Sequence, residues 1–217
     1  MAKACKRAGV PLVAFSSDMV FDGIKQGPYL EHDAPNPVNA YGRSKAEMER
    51  RLFASGADVL VVRSATFFSG HEAHNFAMRH LDELARKGVT SAADDLLMSP
   101  TYVPDLVDAV LDLLLDGERG IWHLSNPAAV SWADFVKSLA QAAGFDPMNV
   151  EAAPAVELGW TAPRPRAVPL ASTRGAMLSE VEPAISRFLN DTRIGHPRQA
   201  SHSPAAERDP KVMIAVA

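Results

Sequence analysis

Three residues near the start of the chain have the types and spacing to move a proton: Ser17, Tyr41 and Lys45. Tyr41 and Lys45 are four apart, so on a helix capped by Asn39 both side chains lie on one face of its first two turns. A free phenol has a pKa of about 10 and is a poor acid near neutrality. An ammonium one turn away favours phenolate and lowers that value. Ser17 follows the apolar run from Val10 to Phe15, which reads as a buried strand. It therefore falls just past a strand's carboxyl end, where α/β sheets place their ligands. Its hydroxyl can hydrogen-bond a carbonyl oxygen while Tyr41 hands that oxygen a proton and hydride reaches the carbon.

The elements that must position this trio are legible as punctuation and period. Residues 2–8 read as a helix end with Gly9 as its cap and Pro11 beyond, followed by a strand over Leu12–Phe15. Gly23, Gly27, Pro28, Pro35 and Pro37 make residues 22–38 a loop. A helix is expected from Ala40 to Ser55, and Val59–Arg63 reads as a second strand, parallel to the first and buried on both faces. Further helices are expected over Asn75–Lys87, Asp105–Leu115, Trp132–Ala143 with Ser131 as cap, and Leu178–Asn190, with a short strand at Gly120–Ser125. No period is visible from Thr192 onward, and disorder is expected there.

The ordered series from Ser16-Ser17-Asp18-Met19 to Gly23, then Glu31-His32-Asp33-Ala34-Pro35-Asn36-Pro37, then Asn39-Ala40-Tyr41-Gly42 with Lys45, resembles the dTDP-4-dehydrorhamnose reductases. These are extended members of the short-chain dehydrogenase/reductase superfamily. The resemblance implies an α/β fold: the C-terminal part of a Rossmann-type doubly wound parallel sheet with a smaller substrate-binding lobe. Residues 1–64 would be a partial NAD(P)-binding domain carrying the catalytic residues, 65–190 the remaining sheet and substrate lobe, and 191–217 a disordered tail. It also implies reduction of a nucleotide-linked 4-keto-6-deoxy sugar with NADPH or NADH. Tyr41 would donate the proton, Lys45 would tune it and hold the nicotinamide ribose, and Ser17 would orient the keto oxygen. Ser64 and Ala65 would join Tyr41 and Lys45 at the cofactor, and Asp18, Met19, Phe67, Asn75 and Thr101 would wall the substrate pocket.

The sequence departs from that pattern in places. Ser17 and Met19 stand where the family has Thr and Tyr, and Arg164-Pro165-Arg166-Ala167 keeps an Arg-Pro but loses a following Asn. None of the thirteen glycines forms Gly-x-Gly, the turn that seats a pyrophosphate on a helix N-terminus. A fragment is the expectation. Alone it should bind NAD(P)H weakly, turn nothing over and self-associate through an open edge at Leu12–Phe15. Expected partners are a nucleotide-sugar substrate and either a second copy or the missing N-terminal half. The alternative is a catalytically silent sugar-nucleotide-binding or regulatory subunit on the same fold, like that of methionine adenosyltransferase.

Net charge is −4 with 47% hydrophobic and 22% charged residues, which suggests neither a nucleic-acid nor a membrane partner. The single cysteine, Cys5, allows no internal disulfide and fits a cytoplasmic setting. His71 and His74 are three apart with no third ligand in view, so a polar loop is expected there and no metal. No Gly-x-Ser-x-Gly elbow supports a hydrolase around Ser17. Trp122 and His123 read as core. Arg43, Arg50, Arg51, Glu47 and Glu49 read mostly as a solvated helix face, and Arg63 reads equally as structural or phosphate-binding.

Overall fold

The computed structural model describes residues 1–72, 74–176, 178–192 and the backbone of 213–215. Helix α1 (Ala2–Ala8) stops at Gly9, whose φ of 64° is the left-handed cap that a glycine adopts without strain. Strand β1 (Leu12–Ser17) follows, then one 3-10 turn (Asp18–Val20) and the long loop. Helix α2 (Ala40–Ala54) begins where Asn39 accepts the Gly42 amide hydrogen at 2.8 Å. Next come β2 (Val59–Ser64), β3 (Phe67–Phe68), α3 (Phe76–Lys87), β4 (Thr90–Ala93), β5 (Leu97–Met98) and β6 (Thr101–Tyr102). The chain continues through α4 (Val103–Leu115), β7 (Gly120–His123), β8 (Val130–Ser131), α5 (Trp132–Ala142), β9 (Val150–Ala153), α6 (Val181–Thr192) and β10 (Met213–Ala215).

The main sheet runs β10-β1-β2-β7, all parallel. The expected pairing of the first two strands is present, from Leu12 opposite Val59 to Ser17 opposite Ser64. Alternation along a strand sends neighbours to opposite faces. Val13, Leu60 and Val62 pack with Leu106 and Val110 of α4, while Ser16 and Arg63 meet α2. Burying a Val or Leu side chain contributes about 1.5–3 kcal/mol, so this sheet–helix sandwich anchors the site rigidly. Smaller pairs, β3 with β6, β4 with β9 and β5 with β8, build the second lobe. Its core joins Phe68, Leu81, Met98, Tyr102, Phe135, Leu139, Ile185 and Phe188.

Several boundaries differ from expectation. β1 reaches Ser17, which is its last residue rather than one beyond it. The last helix starts at Val181, because Leu178 is drawn instead into the core between α4 and the sheet. Leu12–Ala14 is not an open edge: Met213–Ala215 lies parallel beside it, Leu12 opposite Met213 and Ala14 opposite Ala215. An apolar strand with unpaired amides and carbonyls is a template for another strand, and here the chain's own C-terminal segment meets that demand. The self-association expected from an open edge loses that ground. Of the expected disordered tail, residues 193–212 and 216–217 lie outside the described residues, whereas 191 and 192 close α6. Among the described residues no helix is long and apolar enough to cross a membrane.

Candidate active site

The trio meets at the carboxyl end of β1 and β2. Ser17 caps the 3-10 turn, accepting the Met19 amide hydrogen at 3.2 Å and donating its own hydrogen to Asp18 Oδ1 at 2.8 Å. The half-exposed Tyr41 phenol, on the first turn of α2, lines the same cavity as Ser17. Lys45, one turn on, is nearly buried: its Nζ donates to the Phe15 carbonyl at 3.1 Å and lies 5.6 Å from the centre of the Tyr41 ring. The helix sits close enough for this only because residue 42 is glycine. A Cβ there would come within 2.0 Å of the Met19 carbonyl oxygen.

The electrostatics differ from the expected picture. Burial raises the Tyr41 pKa, the Ser17 hydrogen bond opposes that, and the Asp18 charge adds to it. In this state the phenol is a weaker acid than a free tyrosine, with desolvation the largest cause, and burial lowers the pKa of the Lys45 ammonium as well. Asp18 is itself buried, and that desolvation pushes its carboxyl up to about 6 against the Ser17 hydrogen bond and the positive Arg164.

Behind the trio sits a second buried layer. Arg63 places Nε 2.9 Å from Glu49 Oε1 and Nη2 2.6 Å from Oε2, and Ser16 donates to the same Oε1. Glu49 is four residues beyond Lys45, so Tyr41, Lys45 and Glu49 form one stripe that grips the end of β1. Glu49 thus belongs to the core and not to the solvated face, unlike Glu47 with Arg50 and Arg51. The same pairing makes Arg63 structural.

A cavity of about 300 Å³ opens beside the trio, lined by Phe15, Ser17, Tyr41, Lys45, Ser64, Ala65 and Phe67, with Val103, Leu106 and Val107 of α4 as its apolar wall. Ser64 and Ala65 line the same cavity as the trio, and the buried Ser64 hydroxyl has no hydrogen-bond partner among the described residues. Met19 lies at the α2 cap, where Asn39 Nδ2 points at its sulfur at 3.8 Å. Two expected wall residues, buried Thr101 and half-buried Asn75, are not among those lining this cavity. Thr101 is fully buried, its hydroxyl taking the Ala65 amide hydrogen, and Asn75 spends its amide capping α3 and bonding the Ser69 and Glu72 carbonyls. The residues missed in the sequence are Ser16, Glu49 and Arg164. The four-residue spacing of Glu49 from Lys45 is visible in the sequence, but the polar stripe it belongs to gives no sign of turning inward. His123 is satisfied as expected, between the Tyr29 and Ala171 carbonyls, and its neighbour Trp122 is buried in the sheet core with its indole nitrogen unpartnered.

Related proteins share this arrangement of chain. A dTDP-4-dehydrorhamnose reductase of Mycolicibacterium smegmatis is 34% identical over 178 residues, which cover 81% of this chain and 54% of that protein. The chain thus spans about half the length of that relative. The crystal structure of dTDP-4-dehydrorhamnose reductase from Bacillus anthracis in complex with NADP superposes with a TM-score of 0.83 at 28% identity, covering 88% of this chain and 69% of that one. A dTDP-glucose 4,6-dehydratase from the same organism, at 16% identity and a TM-score of 0.73, shares the fold alone. Residues 1–192 match the RmlD substrate binding domain, and the chain belongs to that family.

Proposed function

We propose that this chain carries the catalytic and substrate-binding part of an NAD(P)H-dependent reductase acting on a nucleotide-linked 4-keto-6-deoxy sugar. The observation that carries the reading is the convergence of Ser17, Tyr41 and Lys45 on one cavity of about 300 Å³. Its apolar wall suits a flat ring, and the unpartnered Ser64 hydroxyl suits a carboxamide, so the residues fit a nicotinamide. NADPH or NADH, when bound, supplies the hydride. Relatives named for dTDP-4-dehydrorhamnose, one of them holding NADP, support the substrate class and the cofactor.

Within this reading Tyr41 gives its proton to the keto oxygen. Ser17 orients that oxygen, and Lys45 holds the cofactor's ribose and stabilises the phenolate left behind. Residues 1–64 form the cofactor-facing part, and residues 65–190 complete the sheet and form the substrate lobe. The test is NADPH oxidation by this chain joined to a Gly-rich dinucleotide-binding unit, with dTDP-4-dehydrorhamnose as substrate. Tyr41→Phe should abolish turnover while nucleotide-sugar binding persists. Binding without turnover in the unsubstituted protein would show a silent sugar-nucleotide-binding subunit instead.

A further inference from the structure

The Asn39 side chain makes two hydrogen bonds in opposite directions. Its Oδ1 accepts the Gly42 amide hydrogen at 2.8 Å and caps α2, and its Nδ2 donates to the Pro163 carbonyl at 3.0 Å. Chemistry fixes that orientation. An amide N–H only donates and a backbone carbonyl only accepts, so the oxygen faces Gly42 and the nitrogen faces Pro163. A cap needs the oxygen alone, and Asp or Ser supplies one about as well. The nitrogen is what asparagine adds. We propose that Asn39 is a positioning residue of this site, the joint that holds segment 161–165 against the cap of the catalytic helix and so keeps Arg164 in place. The consequence for turnover rests on the reductase reading, and the joint itself does not.

The segment has little else to hold it. Among the described residues the Asn39 bond is the only hydrogen bond to the backbone of residues 161–165. Its two ends are fastened by packing. Trp160 meets Trp132 of α5 with ring centres 5.4 Å apart, and Pro165 is buried against Gly23, where an added Cβ would come within 2.6 Å of the Pro165 ring. The stretch between is stiff by composition. Pro163 and Pro165 fix φ at about −65°, and each biases the residue before it, Ala162 or Arg164, toward extended backbone. Holding the Pro163 carbonyl therefore holds the Cα of Arg164 as well.

The joint ties this cation to the proton donor. The Arg164 guanidinium lies 4.4 Å from the centre of the Trp160 ring, so the side chain is placed by the aromatic anchor and its backbone by Asn39. Tyr41 follows Asn39 by two residues, on the turn that Asn39 caps. Asn39 Nδ2 also points at the Met19 sulfur at 3.8 Å, so the catalytic helix, the turn after β1 and segment 161–165 meet at one side chain. A guanidinium suits a phosphate-bearing substrate, and through Asn39 its position is set relative to Tyr41.

The test separates the nitrogen of Asn39 from its oxygen. Asn39→Ser and Asn39→Asp keep a cap oxygen and lose the donor to Pro163, whereas Asn39→Ala loses both. In the ¹⁵N-labelled chain the backbone order parameters of Ala162 and Arg164 should fall from about 0.85 to about 0.6 in the Ser and Asp variants, while that of Gly42 holds. Values that stay high in both variants, or that are already low in the unsubstituted chain, overturn the joint. An equal fall at Gly42 assigns Asn39 to the cap alone and also overturns it. In the joined reductase, Asn39→Ser should raise the KM for dTDP-4-dehydrorhamnose about tenfold with kcat within about threefold. Adding Arg164→Gln to Asn39→Ser should change KM by less than about twofold, because the two residues act through one contact. A rise in Asn39→Asp alone is charge repulsion, and a full further loss on adding Arg164→Gln shows Arg164 acting without the joint; either overturns the proposal. The expected fall in order parameters, with no turnover in the unsubstituted reductase, sinks the reductase reading and leaves the joint standing.

Discussion

Glu49 and Arg63 face each other through two hydrogen bonds in a site where both side chains are nearly inaccessible, at 4% and 1% exposure. One comes from the catalytic helix α2 and the other from β2, so the pair fixes how α2 sits against the strand ends. Removing one partner leaves the other charge buried alone, which costs about 3–5 kcal/mol. Arg63→Met should therefore lose about that much stability in urea melts. The double variant Glu49→Leu/Arg63→Met should recover a substantial part of it, because both charges leave together. A single variant that melts like the unsubstituted chain would show the pair to be solvated.

Gly42 permits the approach of α2 to the Met19 carbonyl. Gly42→Ala forces the helix outward, because backbone oxygen cannot yield as a flexible side chain can. A destabilisation of about 1–3 kcal/mol is expected, together with displacement of the Tyr41 phenol from the cavity it shares with Ser17. Chemical denaturation measures the first, and the tyrosine ring carbon shift reports the second.

Asp18 gives stability a pH dependence of defined sign. Its folded-state pKa, about 6, stands above the ordinary 3.8, so the folded chain binds more protons than the unfolded one between these values. Stability from this group is full below about pH 4, falls as pH rises to about 6 and is then flat. The rise of about two pKa units corresponds to a penalty of about 3 kcal/mol at pH 7.5. Asp18→Asn should stabilise the chain at pH 7.5 and have little effect at pH 4. Buried His80 acts oppositely, since burial lowers its pKa to about 4 and its contribution is lost as pH falls through about 6 to 4. Thermal melts of Asp18→Asn at the two pH values isolate the Asp18 contribution.

What was legible in the sequence was the chemistry with a fixed local spacing. Tyr41 and Lys45 lie one helical turn apart whatever surrounds them, and Leu12–Phe15 and Val59–Val62 are apolar on both faces as central parallel strands must be. Glu49 was not legible because the inward stripe of α2 is polar: Gly42, Lys45 and Glu49 are its buried residues, so hydrophobic period carries no signal there. Glu47, two residues away, is solvated with the same side chain. Arg164 comes to Asp18 through a stretch without period, tied in by the Asn39 bond to the Pro163 carbonyl at 3.0 Å across 124 residues. No local pattern encodes that contact. The three-residue strand at Met213 is too short to show alternation.

The central claim is that Tyr41 is the proton donor of a reductase site. Its most direct test is single-turnover oxidation of NADPH with dTDP-4-dehydrorhamnose in the joined reductase, comparing the unsubstituted protein with Tyr41→Phe. Loss of a positioned general acid lowers a rate by about 10²–10⁴. The expected result is a fall in that range, with NADPH affinity and melting temperature little changed, since Tyr41 is half exposed and supports no core. A Tyr41→Phe protein that oxidises NADPH at a rate within a few-fold of the original would contradict the claim.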